Sequence, residues 1–108
     1  MVFQELVTEI DENNYNSFLN NNFSVLNFFS DWHIDCLMVL PILEELAEEF
    51  KGRISFGKVN IEEVDGIAKK HNISQIPSLI VFKNGRVVVK IEDDVSEELI
   101  REKICCLL

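Results

Sequence analysis

The fold is decided by residues 24–36, SVLNFFSDWHIDC, and by the apolar run that follows them. The first six of these residues are nearly all apolar, which is typical of a short strand buried on both faces of a sheet. The long helix that opens at Trp32 is predicted to reach Phe50, with an apolar stripe toward the core and glutamates toward water. A buried strand that leads into such a helix indicates an α/β protein.

The rest of the chain extends this strand–helix pattern in both directions. The other predicted elements are an edge strand over 2–8, a helix over 11–21, a strand over 54–60, a helix over 62–71, strands over 78–82 and 86–91, and a final helix from about 94–96. We expect Asp11 to cap the first helix and Asp94, three residues before Glu97, to cap the last. Asn84-Gly85 predicts a hairpin. The order predicts a single domain over residues 1–108, of class α/β, with a central mixed five-stranded sheet flanked by four helices.

Composition limits the classes of partner. Nineteen acidic and ten basic residues give a formal charge of −9, which disfavours binding to nucleic acid or to an anionic membrane surface. No signal peptide or membrane-spanning run is recognisable in the sequence. Three cysteines, an odd number, do not make a disulfide framework, so we expect a reducing, cytoplasmic compartment.

The pentapeptide Trp32-His33-Ile34-Asp35-Cys36 has the frame of a W-C-x-x-C redox site, but a histidine stands in place of the attacking thiol. Dithiol exchange needs one cysteine to attack a disulfide and a second to resolve the mixed disulfide. This chain keeps only the second, Cys36. His33 and Cys36 are predicted to share one face at the start of the helix, where the charge of Asp35 opposes formation of a thiolate.

With these residues in place, the chain resembles the thioredoxin family over essentially its whole length. The matching landmarks are the strand 25–29 followed by Asp31-Trp32, Cys36 with Pro41-Ile42-Leu43, and the segments 58–61, 76–78 and 82–85. The resemblance implies a mixed sheet flanked by four helices. It also implies that the Ile76–Pro77 bond is cis and lies beside the start of the active-site helix, where the Ile76 backbone can pair with an extended peptide.

The chain departs from the resembled family at His33, Asn27, Gln75 and Glu92. The resemblance implies that the first motif position is exposed and the second shielded, so we expect an exposed His33 above a shielded Cys36. Asn27 stands where the family often has a buried carboxylate, and an amide cannot take up a proton at neutral pH. Lys58 is then expected to lack its ion partner. At the other two positions the family usually has glycines, so the groove for a peptide should be more polar and more crowded here.

Metal binding and an internal disulfide are both disfavoured. His33 and Cys36 supply only half of a metal site, so we expect no metal and no cofactor. Cys105 and Cys106 lie near the end of a last helix that runs away from the motif, too far for a disulfide with Cys36. Residues 105–108, CCLL, formally fit a C-a-a-X prenylation signal, but no polybasic stretch precedes them, and they are predicted instead to form the apolar end of this docked helix.

Three functional hypotheses follow. The first is a thioredoxin-family protein that lacks dithiol exchange and binds an extended peptide or a partner protein through Trp32, His33, Ile76 and Pro77. The second is a monothiol redox protein in which Cys36, assisted by His33, undergoes exchange or glutathionylation. The third is a scaffold or dimer-forming module with a vestigial site. Cys36 and His33 are the candidate catalytic residues, and the candidate supporting residues are Asn27, Lys58 and Asp35. The oligomeric state stays open.

Overall fold

The computed structural model describes residues 6–92 and 95–108. Within these ranges the chain forms five strands and four helices. In chain order they are β1 (Val7–Glu9), α1 (Tyr15–Phe18), β2 (Phe23–Phe29), α2 (Ile34–Glu49), β3 (Ser55–Asn60), α3 (Gly66–Lys70), β4 (Ser78–Lys83), β5 (Arg86–Ile91) and α4 (Glu97–Leu107). The predicted fold class is confirmed, since the strands form one mixed five-stranded sheet.

The sheet is built around β2, the strand that its apolar sequence predicts to be buried on both faces. The strand order is β1-β3-β2-β4-β5. β3 runs parallel to both β1 and β2, whereas β4 runs antiparallel to β2 and β5. Residues 24–29 of β2 are all buried. The segment 30–36 therefore follows directly from the C-terminal end of the buried central strand.

Two apolar layers cover the sheet. Val25 packs on the face covered by α2 and α4, together with Leu43 and Ile100. Leu26 and Phe28 pack on the opposite face, which α1 and α3 cover. Because successive side chains of a strand point to opposite faces, Asn27 lies on the same face as Val25, beneath α2.

The predicted bounds of the two short helices were wrong, because each helix begins after a turn that the apolar spacing did not separate from it. α1 spans only Tyr15–Phe18, and the residue before it is Asn14. Asp11, the predicted cap, makes capping hydrogen bonds on the turn that precedes α1, since its Oδ1 accepts from the backbone nitrogens of Asn13 and Asn14 (2.8 and 3.1 Å). In the same way, Asn60 Oδ1 accepts from the nitrogen of Glu62 (3.1 Å), and α3 begins only at Gly66.

The predictions for the hairpin turn and for the start of the last helix agree in part with the structure. Asn84 and Gly85 have φ values of 52° and 79°, as the predicted Asn-Gly hairpin turn requires. Ser96 caps α4 and accepts from the nitrogen of Leu99 (3.2 Å), whereas the predicted cap Asp94 lies outside the described residues. Residues 2–5 of the predicted first strand also lie outside them. No helix within the described ranges is long and apolar enough to cross a bilayer.

The predicted docking of residues 105–108 was wrong for most of the segment. Cys105 and Cys106 are both exposed free thiols, and Leu108 is exposed as well. Leu107 alone of these four packs against the core. The C-terminal turn of α4 therefore presents two thiols to solvent rather than burying them.

Candidate functional site

The motif residues lie where β2 passes into α2. β2 ends at Phe29, residues 30–33 form a turn, and α2 begins at Ile34. His33 is the N-cap residue of α2, with extended backbone angles of φ −95° and ψ 114°. Its carbonyl oxygen accepts from the nitrogen of Leu37 (3.1 Å), the first hydrogen bond of the helix. The helix thus starts two residues later than predicted, and His33 stands at its boundary.

Cys36 lies in the first turn of α2 with its side chain entirely shielded. The residue is 0% exposed, in agreement with the prediction of a shielded thiol. Burial raises the pKa of the Cys36 thiol, and the charge of Asp35 raises it further, while a backbone hydrogen bond at Ser30 lowers it. The net shift is upward, so Cys36 is a protonated thiol at neutral pH. A buried, protonated thiol is a poor nucleophile.

His33 is less exposed than predicted. The residue is half-buried, and its Nδ1 atom is inaccessible and has no hydrogen-bond partner among the described residues. Its ring lies 6.2 Å from the ring of Trp32, at a tilt of 48°. The contact with the indole of Trp32 accounts for part of this difference.

Asn27 lies beneath the motif and is fully buried. Neither its amide nitrogen nor its amide oxygen has a hydrogen-bond partner among the described residues. Lys58 is its register neighbour on β3, is half-buried, and makes no ion pair with any carboxylate in the described ranges. The amide of Asn27 therefore offers no acceptor for the thiol proton of Cys36 at neutral pH.

The peptide bond between Ile76 and Pro77 is cis. Gln75, just before it, donates from Nε2 to the backbone carbonyl of Glu92 (3.0 Å). The carboxylate of Glu92 pairs with Lys90 (3.5 Å). Gln75 and Glu92, which the sequence analysis assigned to one groove, are thus in direct contact beside Pro77.

An exposed apolar surface surrounds the start of α2, and the sequence analysis missed most of it. Trp32 is 72% exposed, Ile34 73% and Met38 66%, and Leu37 is exposed as well. We call Trp32, Ile34 and Met38 the apolar surface. The signal in the sequence was the spacing of four between Ile34 and Met38, which places both on one face of a helix, away from the core stripe.

A groove of about 410 Å³ joins this surface to Pro77. One wall is α2, through Asp35, Met38, Val39 and Ile42, and the other consists of Pro77 and residues 95–97 at the start of α4. Met38 and Pro77 therefore border the same depression. Trp32, His33 and Cys36 all lie within the turn 30–33 and the first turn of the same helix.

No group of three or more His, Cys, Asp or Glu side chains suited to a metal ion occurs in the part of the chain that the structure describes. The possible ligands in the motif are His33, Asp35 and Cys36, and they do not form such a group. The site's own chemistry is that of one buried thiol, one imidazole and a large apolar surface.

Sheet order, strand directions and a site at the start of α2 define a protein of the thioredoxin fold class. Comparison with known proteins agrees: the family model described as Thioredoxin matches residues 6–105. A thioredoxin of Chlamydia pneumoniae is 37% identical over 86 residues, which span 80% of this chain and 83% of that protein. A thioredoxin of Staphylococcus aureus is 31% identical over 85 residues, 79% of this chain and 82% of that protein. The chain therefore belongs to the thioredoxin family.

Proposed function

We propose that this thioredoxin-family protein does not catalyse dithiol–disulfide exchange and acts as a binding module for an extended peptide or a partner protein. The contact surface consists of Trp32, His33, Ile76 and Pro77. The observation that carries the proposal is the contrast between Trp32, 72% exposed, and Cys36, 0% exposed, within one turn of the chain. The reactive atom is hidden, while the apolar surface beside it is open to a partner.

The loss of exchange chemistry rests on three neighbouring residues. His33 stands where the attacking thiol is needed, and imidazole cannot form a mixed disulfide. The raised pKa of Cys36 keeps its thiol protonated, and Asn27 offers no acceptor for that proton. Each of these features alone weakens exchange, and together they remove the nucleophile, its activation and its proton acceptor.

The binding role rests on the exposed apolar area. Burial of a large side chain such as Trp or Met contributes about 1.5–3 kcal/mol to association. Aromatic residues and Met are the side chains that are enriched at the centres of interfaces. An exposed Trp32 next to Ile34 and Met38 therefore has the composition of a contact surface rather than of an ordinary solvated helix face.

The two other hypotheses have less support. A monothiol protein needs an accessible Cys36, and that side chain is buried. A scaffold or dimer-forming module with a vestigial site would bury the apolar surface beside Pro77 against a second copy, and the charge of −9 on each copy opposes that contact. A cytoplasmic location remains part of the proposal, and its support is the three free cysteines.

Two experiments test the proposal. In an insulin-reduction assay driven by dithiothreitol, the native protein should give no turnover above the reagent alone. A library of short random peptides, selected on the native protein, should yield binders that Trp32→Ala loses and that Val87→Ala, an exposed valine on β5, retains. Insulin turnover by the native protein, or binders that are indifferent to Trp32, would overturn it.

A further inference from the structure

We propose that the partner is a cationic amphipathic segment: its apolar side chains lie along Ile34, Met38 and Ile42 of α2, and its Lys or Arg side chains meet Asp35 and Glu97. This inference rests on the proposed binding function and deepens it by naming the chemistry of the partner. It concerns the groove between α2 and the start of α4, which extends the contact surface away from His33.

An apolar ridge on α2 borders the groove and extends beyond it. Ile34, Met38 and Ile42 follow one another at intervals of four residues, so their side chains stack along one face of the helix. At 1.5 Å per residue the ridge is about 12 Å long. Ile34 and Met38 are exposed, and Ile42 joins the ridge to the core. A ridge of this length matches two or three successive apolar side chains of a partner.

The polar part of the groove is acidic. Among the eight described residues that line it, two are carboxylates, Asp35 and Glu97, and none is basic. No Lys or Arg within the described ranges pairs with Asp35. Glu97 pairs with Arg101 (3.3 Å), which lies one helical turn further along α4 and does not line the groove. The carboxylate of Asp35 therefore faces solvent as an uncompensated charge beside the ridge.

The partial positive charges at the N-termini of the two helices do not make the groove positive overall. α2 and α4 both begin at the groove, and each carries a partial positive charge at its N-terminus. Asp35 stands in the first turn of α2, and Glu97 and Glu98 stand in the first turn of α4. Full negative charges thus exceed the partial positive ones, and the chain as a whole carries −9.

The same charges decide against a second copy of this chain as the occupant. Two copies that docked ridge to ridge would bring Asp35 and its neighbours against the same carboxylates of the other copy. Like charges opposed across an interface cost free energy, and each copy adds its own net −9. A segment in which Lys or Arg alternates with apolar residues gains binding free energy in two ways. Its apolar side chains contact the ridge, and its basic side chains pair with the carboxylates beside the ridge.

The test uses the peptides that the random library yields on the native protein. Their sequences should be rich in Lys or Arg beside apolar residues and poor in Asp and Glu. For one enriched peptide, versions with each Lys or Arg replaced by Gln or by Glu are compared by fluorescence anisotropy. Affinity should fall from the cationic to the neutral to the acidic version, and added salt should weaken the cationic version most. Emission of Trp32, the single tryptophan, should shift to the blue on binding.

Substitutions in the groove show which residues are responsible for binding the cationic peptide. Met38→Ala should weaken binding about tenfold, since an exposed anchor is truncated. Asp35→Asn should weaken the cationic version by about two- to fivefold, as for an exposed ion pair, and leave the neutral version unchanged. Glu45→Gln, an equal charge change on the exposed side of α2, is the matched control and should change neither.

The outcomes separate this inference from the proposed function. Peptides that depend on Trp32 but show no excess of basic residues would overturn the cationic partner and leave the binding module standing. The same holds if Asp35→Asn and Glu45→Gln have equal effects. A selection that yields no Trp32-dependent binder would overturn both.

Discussion

The side-chain amide of Gln75 donates a hydrogen bond to the backbone carbonyl of Glu92 across 3.0 Å. This contact joins the segment before Pro77 to the residue that follows β5. The same segment is held from β4, because the hydroxyl of Ser78 donates to the carbonyl of Gln75 (2.5 Å). Two positions that depart from the resembled family are therefore bonded to each other, and together they fix one side of the candidate site.

Replacement of Gln75 should destabilise the protein through this bond. Gln75→Ala should lower the free energy of unfolding by about 1 kcal/mol, the usual net value of an intramolecular hydrogen bond. Urea denaturation measures the change. Glu92→Gln is the matched control, since it keeps the backbone acceptor and loses only the pair with Lys90, for which we expect about 0.5 kcal/mol or less. Equal losses in the two variants would contradict the role assigned to the amide.

The sequence could predict the long elements because their signals are strong over many residues. β2 is apolar throughout, and α2 has a regular core stripe over 16 residues. α1 and α3 were drawn too long because apolar spacing marks the buried face of a segment and does not distinguish a helix from the turn that leads into it. Asp11 and Asn60 hold such turns by accepting hydrogen bonds from backbone nitrogens, and each helix begins only after its turn.

The site could be predicted only in part. The spacing of His33 and Cys36 placed them together, and the resemblance placed Cys36 beneath the surface. The exposure of Met38 was missed because only the core stripe of this helix and its glutamates were considered, and no prediction was made for the face that carries Ile34 and Met38. The contact between Gln75 and Glu92 spans 17 residues and depends on how the β4–β5 hairpin closes, which no local pattern encodes.

The amide of Asn27 is buried without a hydrogen-bond partner among the described residues. An unsatisfied buried polar group costs about 1–3 kcal/mol, and an apolar side chain with the same number of heavy atoms removes that cost. We expect Asn27→Leu to raise the free energy of unfolding by about 1–2 kcal/mol in urea denaturation. Ser24→Ala on the same strand is the control, because the Ser24 hydroxyl is bonded to the carbonyl of Phe18 (3.3 Å), and its loss should not stabilise. Destabilisation by Asn27→Leu would show that the amide has a role in the fold.

His71 should make stability depend on pH in the weakly acidic range. Its Nε2 atom is hydrogen-bonded to the hydroxyl of Tyr15, and its ring packs against Phe82 at 5.5 Å. Burial lowers the pKa of His71 below its ordinary 6.5, and the charges of Lys70 and Lys90 lower it further. The unfolded chain therefore binds the proton more readily than the folded chain.

The direction in which stability changes with pH follows from this difference in the pKa of His71 between the folded and unfolded chain. The stabilising contribution of neutral His71 is complete above pH 6.5, the pKa expected in the unfolded chain, and is lost progressively as pH falls toward the lower folded pKa. Urea midpoints measured at a series of pH values should show this decline. His71→Gln does not titrate and keeps an acceptor for Tyr15, so its decline should be smaller. Equal slopes for the two proteins would assign the pH dependence to other groups.

The three thiols should separate into two classes of reactivity. Cys105 and Cys106 are exposed and should react promptly with a thiol reagent such as dithionitrobenzoate. Cys36 is buried and its pKa is raised, so it should react only after unfolding. Cys36→Ala, which removes the protected thiol, identifies the slow class. Prompt reaction of all three thiols would remove the main argument against a monothiol function.

Return of a thiol to the first motif position tests how much of the exchange machinery survives. In His33→Cys the new thiol stands at the N-cap of α2, where the unpaired backbone N–H groups favour a thiolate. Cys36, three residues on, is then placed to resolve the mixed disulfide. We expect measurable reduction of insulin by this variant. We expect none by His33→Ser, because serine is close to cysteine in size but has no thiol. If His33→Cys stays inactive although it folds, the obstacle lies either in Asn27 or in the contact between Gln75 and Glu92 beside Pro77. Addition of Asn27→Asp would then distinguish these two, because a carboxylate restores the proton acceptor without changing the groove.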